Sequence, residues 1–353
     1  MLSTFKNLIK CNNIQNIRHM SNFPPKRYSV IKCLNHSGQR KNGVQLGPNA
    51  IYNNYLFGMF QQYLMDVPGN KWVEVNTSTI NDVPFSNAKV DYKSNTILNA
   101  SHVSSYCSDV FDKNIESYEK KSNLIINLIG DHSAALGTVM SSVGSDRDFK
   151  LVWIDAHADI NTSDTSFTGN CHGMPLSMAS KLSDKYLSDN NIFEWLKGVN
   201  KFDLNNLIYV AIRDIDAGEA EIIKKHNITV ISMDDIRAGN VEALITKISG
   251  HNVHVSFDVD SLDPIYFSAT GTPVPNGLHP SELKYLIGII NKFGNIFKLD
   301  IAEFNPLIGT GISSNLAHLA DVPFHNINSQ KHYVEMIINN VLAPTFRVPY
   351  LIP

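Results

Sequence analysis

Cysteine is scarce. Four occur in 353 residues, Cys11, Cys33, Cys107 and Cys171. None forms a C-x-x-C pair, which excludes a zinc ribbon and a thioredoxin-type redox motif. A disulfide scaffold is excluded too. No apolar run approaches the roughly 18 residues that a membrane span needs, so no membrane is an expected partner. Repeats, low-complexity blocks and linkers rich in Pro, Gly or Ser are all lacking, which favours one large unit over two domains. With 43% hydrophobic and 18% charged residues, the chain is neither disordered nor collagen-like. A net charge of −3 and a pI near 6.5 argue against a phosphate-binding surface. No nucleic acid is expected as a partner.

Acid is missing from the beginning of the chain. No Asp or Glu precedes Asp66, while Lys6, Lys10, Arg18, Lys26, Arg27, Lys32, Arg40 and Lys41 stand there. The remainder holds 22 basic residues against 33 acidic ones, a net of −11. In residues 1–22, Leu2, Phe5, Leu8, Ile9 and Ile17 can share one helical face, with Lys6, Lys10 and Arg18 elsewhere. Acid-free, amphipathic and basic is the pattern of a mitochondrial transit peptide. The expectation is a separable leader or disordered tail at 1–22, a single catalytic domain at 23–353, and a mitochondrial location, with a cytoplasmic one as the alternative.

What is present in quantity is short apolar runs. They are Tyr28–Cys33, Trp72–Val75, Asn123–Ile129, Lys150–Ile154, Leu207–Ile212, Ile228–Met233, Val253–Phe257 and Ile296–Ile301. Several are nearly continuous in Val, Ile and Leu, as strands buried on both faces are. Helical segments are predicted from Gly47-Pro48 through Tyr55–Tyr63, and at Ala134–Ser142, Ala217–His226, Val241–Ile248 and Pro280–Phe293. Strands alternating with helices indicate an α/β fold with a mostly parallel sheet.

Asp and His fall just after three of these strands. Gly130-Asp131-His132-Ser133 follows the third run. Asp155-Ala156-His157-Ala158-Asp159 follows the fourth, and Asp258-Val259-Asp260 the seventh. Ligands of open α/β sheets bind outside the carboxyl ends of the strands. In extended chain, residues i, i+2 and i+4 point to one side, so Asp155, His157 and Asp159 converge, as do Asp258 and Asp260. With His132 this makes two imidazoles and four carboxylates. An Asp at a strand end commonly caps the next helix, but four clustered carboxylates repel unless a cation is present. Six ligands exceed one tetrahedral zinc and suit two divalent cations about 3.5–4 Å apart. Oxygen-rich ligation favours Mn²⁺, while Co²⁺, Ni²⁺ and Fe²⁺ also fit.

At this point the chain resembles the arginases of the ureohydrolase family over about residues 28–325. The elements run in order: Gly38-Gln39-Arg40, Gly43-Val44 and Gly47-Pro48; GDHS at 130–133; DAHADIN at 155–161; and Thr168-Gly169-Asn170-Cys171-His172-Gly173. Arg213 to Glu219, SFDVDSLDP at 256–264, ATGTPV at 269–274 and DIAEFNP at 300–306 complete the set. The resemblance implies a three-layer α/β/α sandwich around an eight-stranded, mostly parallel sheet. It implies a hydrolase that cleaves L-arginine to L-ornithine and urea, with two Mn²⁺ and attack of a metal-bridging hydroxide on the guanidinium carbon. His132, Asp155, His157, Asp159, Asp258 and Asp260 match the metal ligands. Asp159 relays the proton from the hydroxide, and His172 matches a proton shuttle. Glu303 matches the guanidinium partner, and a carboxylate can pair with that group bidentately. Thr272 matches a hydroxyl near the metals. Asn161, Thr168 and Asn170 match positions that read the substrate carboxylate. Asp216, with Glu219 close by, lies near its α-amino group. For Glu219 a pocket-lining residue without a specific contact is the competing reading.

Some positions depart from the family pattern. Ile129 stands where a first Gly is common, Thr168 replaces Ser, Cys171 replaces an aliphatic residue as a small packing group, and Ala217 replaces Pro. The tail from about Phe324 matches poorly. In animal arginases that region helps form a trimer, and a homo-oligomer, trimer or hexamer, is the expectation. The rival readings are another ureohydrolase such as an agmatinase, whose substrate lacks the carboxylate, and a catalytically silent arginine-binding paralogue. The metabolic role, urea cycle or polyamine and proline supply, stays open.

Overall fold

The structure is a computed structural model that describes residues 26–53, 73–82, 97–145, 148–308 and 331–342. The leader at 1–22, the helical continuation at Tyr55–Tyr63 and the tail from Phe324 to residue 330 lie outside the described residues, as do residues 343–353.

Eight strands form one sheet: β1 (Lys26–Leu34), β2 (Val73–Asn81), β3 (Leu124–Ile129), β4 (Phe149–Ile154), β5 (Leu207–Val210), β6 (Thr229–Ile231), β7 (Asn252–Asp258) and β8 (Asn295–Ala302). Their order is β2-β1-β3-β8-β7-β4-β5-β6. Every ladder is parallel, so the expected "mostly parallel" sheet is parallel throughout. The reason is visible in the central strands. In β4, Val152 and Ile154 join one apolar cluster and Leu151 and Trp153 join another. Alternate residues thus enter cores on opposite faces, and a strand buried on both faces reads as a continuous apolar run. Each such Val, Leu or Ile contributes about 1.5–3 kcal/mol by burial. The second strand extends well past the predicted Val75. Its later residues are mostly polar because it lies at the sheet edge, paired only with β1 in the strand order.

Helices cover both faces. On one side α1 (Gly47–Ile51), α7 (Met233–Ala238), α8 (Glu242–Ile248), α9 (Pro280–Phe293) and α10 (Lys331–Ile337) contribute buried residues to one cluster. On the other, α2 (Ala100–Glu119), α3 (Ala135–Gly144) and α4 (Pro175–Ala179) pack with Leu151, Trp153 and Phe297. The elements α5 (Asp184–Asp189) and α6 (Ala217–Lys225) complete the set used below. The long helix α2 is absent from the sequence reading. Its buried face runs Val103, Tyr106, Cys107, Val110, Asn114 and Ser117, which has helical spacing but ends in polar residues. Asn114 Nδ2 donates to Asn127 Oδ1 at 3.0 Å, so that polar end meets a buried polar partner on β3. The predicted strand Ile228–Met233 stops at Ile231, because Ser232 caps α7 through a capping box with Asp235.

Among the described residues, no helix is long and apolar enough to cross a membrane.

Candidate active site

The four central strands β3, β8, β7 and β4 are neighbours. Being parallel, they end on the same side, and each delivers polar residues there. His132 follows β3 in a short 3-10 turn, Glu303 follows β8, Asp258 ends β7, and Asp155 follows β4.

The two Asp/His clusters converge, but by a different route from the extended alternation expected. Strand β4 stops at Ile154, and residues 155–161 form a loop in which Asp159 takes a left-handed φ of 49°. Asp260 lies in the 3-10 turn Val259–Ser261, whose start is held by Asp258 Oδ1 accepting from the Asp260 amide at 2.8 Å. A loop is needed because all six groups must surround a point, and a flat strand edge cannot curl round one. Glu303 also has positive φ, 65°. Non-glycine residues held in this region cost about 1 kcal/mol or more each, and they concentrate at functional sites.

His132 is fully buried. Its Nδ1 makes no hydrogen bond, although Asp155, Asp159 and Asp258 each place an Oδ2 within 3.1–3.2 Å of it. Its Nε2 is held by Ser256 Oγ at 2.9 Å, and Trp153 stacks on its ring at 4.2 Å. Two sets of groups bring ligand atoms within 4.8 Å of one another: His132, Asp155 and Asp258, and Asp155, His157 and Asp260. Asp155 is common to both. His157 Nδ1 lies 3.1 Å from Asp260 Oδ2 and 3.5 Å from Asp155 Oδ1.

The electrostatics suit a cation. Burial, then the charge of Asp155, pushes Asp159 up to about 6. Burial and the neighbouring carboxylates likewise push Asp258 and Asp260 up. Burial alone lowers an imidazole, yet the surrounding carboxylates push His157 up to about 12 and His132 well above its usual range. With only protons available, the cluster retains them. A divalent cation replaces those protons and satisfies the orphaned Nδ1. These residues therefore fit a metal site.

A cavity of about 240 Å³ opens onto the cluster. His157, Asp159, Asp258 and Asp260 line its base, and Thr272, whose Oγ1 donates to Asp260 Oδ2 at 3.0 Å, lies beside them. His172 lines it too. Asn161, Thr168, Asn170, Asp216 and Glu219 line the remaining wall. Asn161 Nδ2 donates to Asp216 Oδ2 at 2.9 Å, which ties two of the expected substrate contacts together. Glu219 is occupied structurally. It receives the amides of Ile160 at 3.2 Å and of Asp216 at 3.0 Å, as the capping-box partner of α6. Burial pushes its carboxyl up to about 7.

Glu303 stands behind His172 instead of on the cavity wall. Its Oε1 accepts from the His132 amide at 2.9 Å and lies 3.2 Å from His172 Nδ1, and its Oε2 accepts from Gln39 Nε2 at 2.8 Å. Burial lowers His172, but the Glu303 carboxylate outweighs it and the imidazole is pushed up to about 9. Cys171 is buried, with Sγ 3.3 Å from Leu98 O and its thiol pushed up by burial, as a packing residue should be.

Several supporting residues had no role in the sequence reading. Gln39 holds Glu303. Asp131 receives the Gly38 amide at 2.9 Å and the Ser133 amide at 3.0 Å, fixing the turn that carries His132. Trp153 donates Nε1–H to Asp155 Oδ2 at 2.9 Å. Arg213 donates to the carbonyls of Ala211, Asp260, Ser261, Val274 and Pro275. Only Trp153 and Ser256 carried a local signal, since each lies in a strand two residues before a metal-site Asp.

A sequence profile of the arginase family matches residues 30–320. The chain belongs to the arginase family. It is a hydrolase of that family, and its relatives agree with the geometry. It is 31% identical over 297 residues to an arginase of Neurospora crassa, covering 80% of each chain. It is 32% identical over 292 residues to Arginase-1 of Rattus norvegicus, covering 81% of this chain and 86% of that one. The crystal structure of Entamoeba histolytica arginase in complex with L-ornithine superposes with a TM-score of 0.70 at 27% identity, covering 90% of this chain and 99% of that one.

Proposed function

We propose that the protein hydrolyses L-arginine to L-ornithine and urea with two Mn²⁺ bound. The observation that carries this reading is the buried His132 Nδ1, without a hydrogen bond, ringed by three carboxylate oxygens. His132, Asp155 and Asp258, with Asp159 beside them, would hold one ion, and Asp155, His157 and Asp260 the other. Bound there, the ions would supply a water of lowered pKa as the nucleophile.

The chain's own groups do the rest. Asp159, on the cavity wall beside the cluster, would take the proton given up at its base. An amine leaves only when protonated, and His172, protonated below about 9, faces the cavity as the acid. Glu303 keeps His172 charged, and its own negative charge favours a cationic guanidinium nearby. Direct pairing with that group requires Gln39 or His172 to release a carboxylate oxygen. Asn161, Thr168 and Asn170, on the cavity wall, would read the substrate carboxylate, and Asp216 its ammonium.

Urea release from L-arginine by manganese-loaded protein tests the reading. No urea sinks it. A kcat/KM that favours agmatine over arginine assigns the chain instead to a neighbouring ureohydrolase activity, with the carboxylate-reading residues idle. We also propose mitochondrial targeting by residues 1–22 and assembly into a homo-oligomer. A reporter fused behind those residues that stays cytoplasmic contradicts the first. A monomeric mass in light scattering contradicts the second.

A further inference from the structure

The overall charge argues against an extended basic surface, but not against a local one. Between Ser180 and His226 lies a cavity of about 660 Å³, larger than the one at the metal cluster. Lys181, Lys201 and Lys225 line it, and Asp203 is the one carboxylate on its wall among the described residues. Three ammonium groups face one carboxylate on the wall, and with Asp184 beside Lys201 counted the local net is still positive, in a chain that is acidic beyond its first residues.

The single acid is already engaged. Asp203 Oδ1 accepts both the Asn205 amide and Asn205 Nδ2 at 3.0 Å. The Lys201 side chain is only 15% exposed, with its nearest ion-pair oxygen 3.8 Å away on Asp184. Burial lowers its proton affinity and Asp184 partly restores it. His226 Nε2 is shielded from solvent and has no hydrogen-bond partner. Leu182, Phe202 and Leu204 supply apolar lining.

Lysines bind phosphate as point charges. A phosphate monoester carries about −1.5 to −2 at neutral pH, opposite in sign to the excess here. Apolar lining suits the organic part of such a ligand, and the volume lies within the range for small-molecule pockets.

The cavity is also wired to the substrate loop. The Phe202 amide donates to Ala179 O at 2.9 Å, at the end of α4. Ser183 Oγ bonds Ser177 Oγ on α4 at 3.1 Å, and Ser177 Oγ donates to Asn161 O at 2.6 Å. The Leu176 amide on α4 donates to Asp159 O at 3.2 Å. One short helix is thus shared by the cavity wall and the loop that carries Asp159 and Asn161.

We propose that this cavity binds a small organic phosphate monoester and that its occupation shifts the substrate loop through α4. The test is calorimetric titration of the manganese-loaded full chain with AMP and, separately, with inorganic phosphate. Saturating L-ornithine is present to keep both anions off the metals. AMP should bind saturably, and at least tenfold more tightly than inorganic phosphate. The double variant Lys181→Gln/Lys225→Gln, two exposed positions, should keep its circular dichroism and weaken AMP at least tenfold. AMP should change the KM for arginine more than twofold in the wild type and leave the variant unmoved. No saturable binding, or equal binding by the variant, overturns the site. Inorganic phosphate binding as tightly as AMP overturns the organic part, and binding without a KM change overturns the coupling. The KM arm and the ornithine block rest on the function proposed above, whereas loss of AMP binding in the double variant, which leaves the metal cluster intact, does not, so the two failures are distinguishable.

Discussion

Replacing Glu303 by Gln removes one buried negative charge and almost no volume. The carboxylate is 1% exposed and bonded on both oxygens. The amide oxygen of Gln can still accept from His132 and His172, and Gln39 can turn its amide to accept from the new NH₂. The loss is therefore mainly electrostatic. Against burial, which lowers it, His172 is raised from 6.5 to about 9, chiefly by Glu303, with smaller help from Asp159 and Asp131. That rise corresponds to about 3 kcal/mol favouring the imidazolium. Because Glu303 supplies most of the upward push and burial opposes it, the expected fall in the variant is more than one pH unit.

The assay is the pH dependence of kcat for urea release between about pH 6 and pH 10. If His172 is the acid, the alkaline limb of the wild type lies near 9 and moves down by more than one unit in Glu303→Gln. At the alkaline end kcat/KM should fall by far more than tenfold. The linkage to stability has the same sign. His172 is raised in the folded state, so its contribution is complete below about 6.5 and is lost as pH rises through about 9. Wild-type stability should therefore fall across that window by more than the variant's. An unmoved alkaline limb accompanied by a higher KM refutes the reasoning and makes Glu303 a direct guanidinium ligand.

Two other substitutions probe the site and its support. His132→Asn removes a ligand from the buried set, and should lose close to one equivalent of manganese with turnover falling severely. Unchanged metal content and activity, by elemental analysis and urea assay, contradict the ligand assignment. A Cβ on Gly130 would lie 1.9 Å from Asn35 O, so Gly130→Ala must displace the backbone that presents His132. Destabilisation of about 3 kcal/mol or more is expected from such a clash, and a denaturation midpoint like the wild type's would contradict the packing.

The sheet was legible because its strands are buried on both faces, which leaves runs such as Asn123–Ile129 with little else to be. Helix α2 was not, because Asn114 and Ser117 put polar groups on its buried face, where Asn114 meets Asn127 on β3 and Ser117 bonds back to Lys113 O. The metal-ligand candidates were legible from their positions after strands. Their convergence was right for an incomplete reason, since the left-handed turn at Asp159 does what alternation was expected to do. Gln39, Asp131 and Arg213 act through contacts between distant segments, 264 residues apart for Gln39 and Glu303. Spacing along a chain carries no trace of such pairs.

The clustering has a thermodynamic consequence that metal removal can measure. Four carboxylates are gathered where burial and mutual repulsion push Asp159, Asp258 and Asp260 to hold protons. The central strands bring them there, so the cost falls on the stability of the sheet. Cations that bind only the folded cluster reverse that cost. By mass action a single site adds about 2.7 kcal/mol when free metal is a hundredfold above its Kd. Two sites sharing Asp155 should add more than one site does, while being coupled. Chelation should therefore lower the Tm, and titrating Mn²⁺ back should restore it in a concentration-dependent way. The gain should be largest near neutral pH. Below about 6, where Asp159 keeps its proton, metal and proton compete and the gain should shrink. A Tm that chelator leaves unchanged at neutral pH would mean that the cluster is stable as a proton-sharing network, and the metal assignment would fail with it.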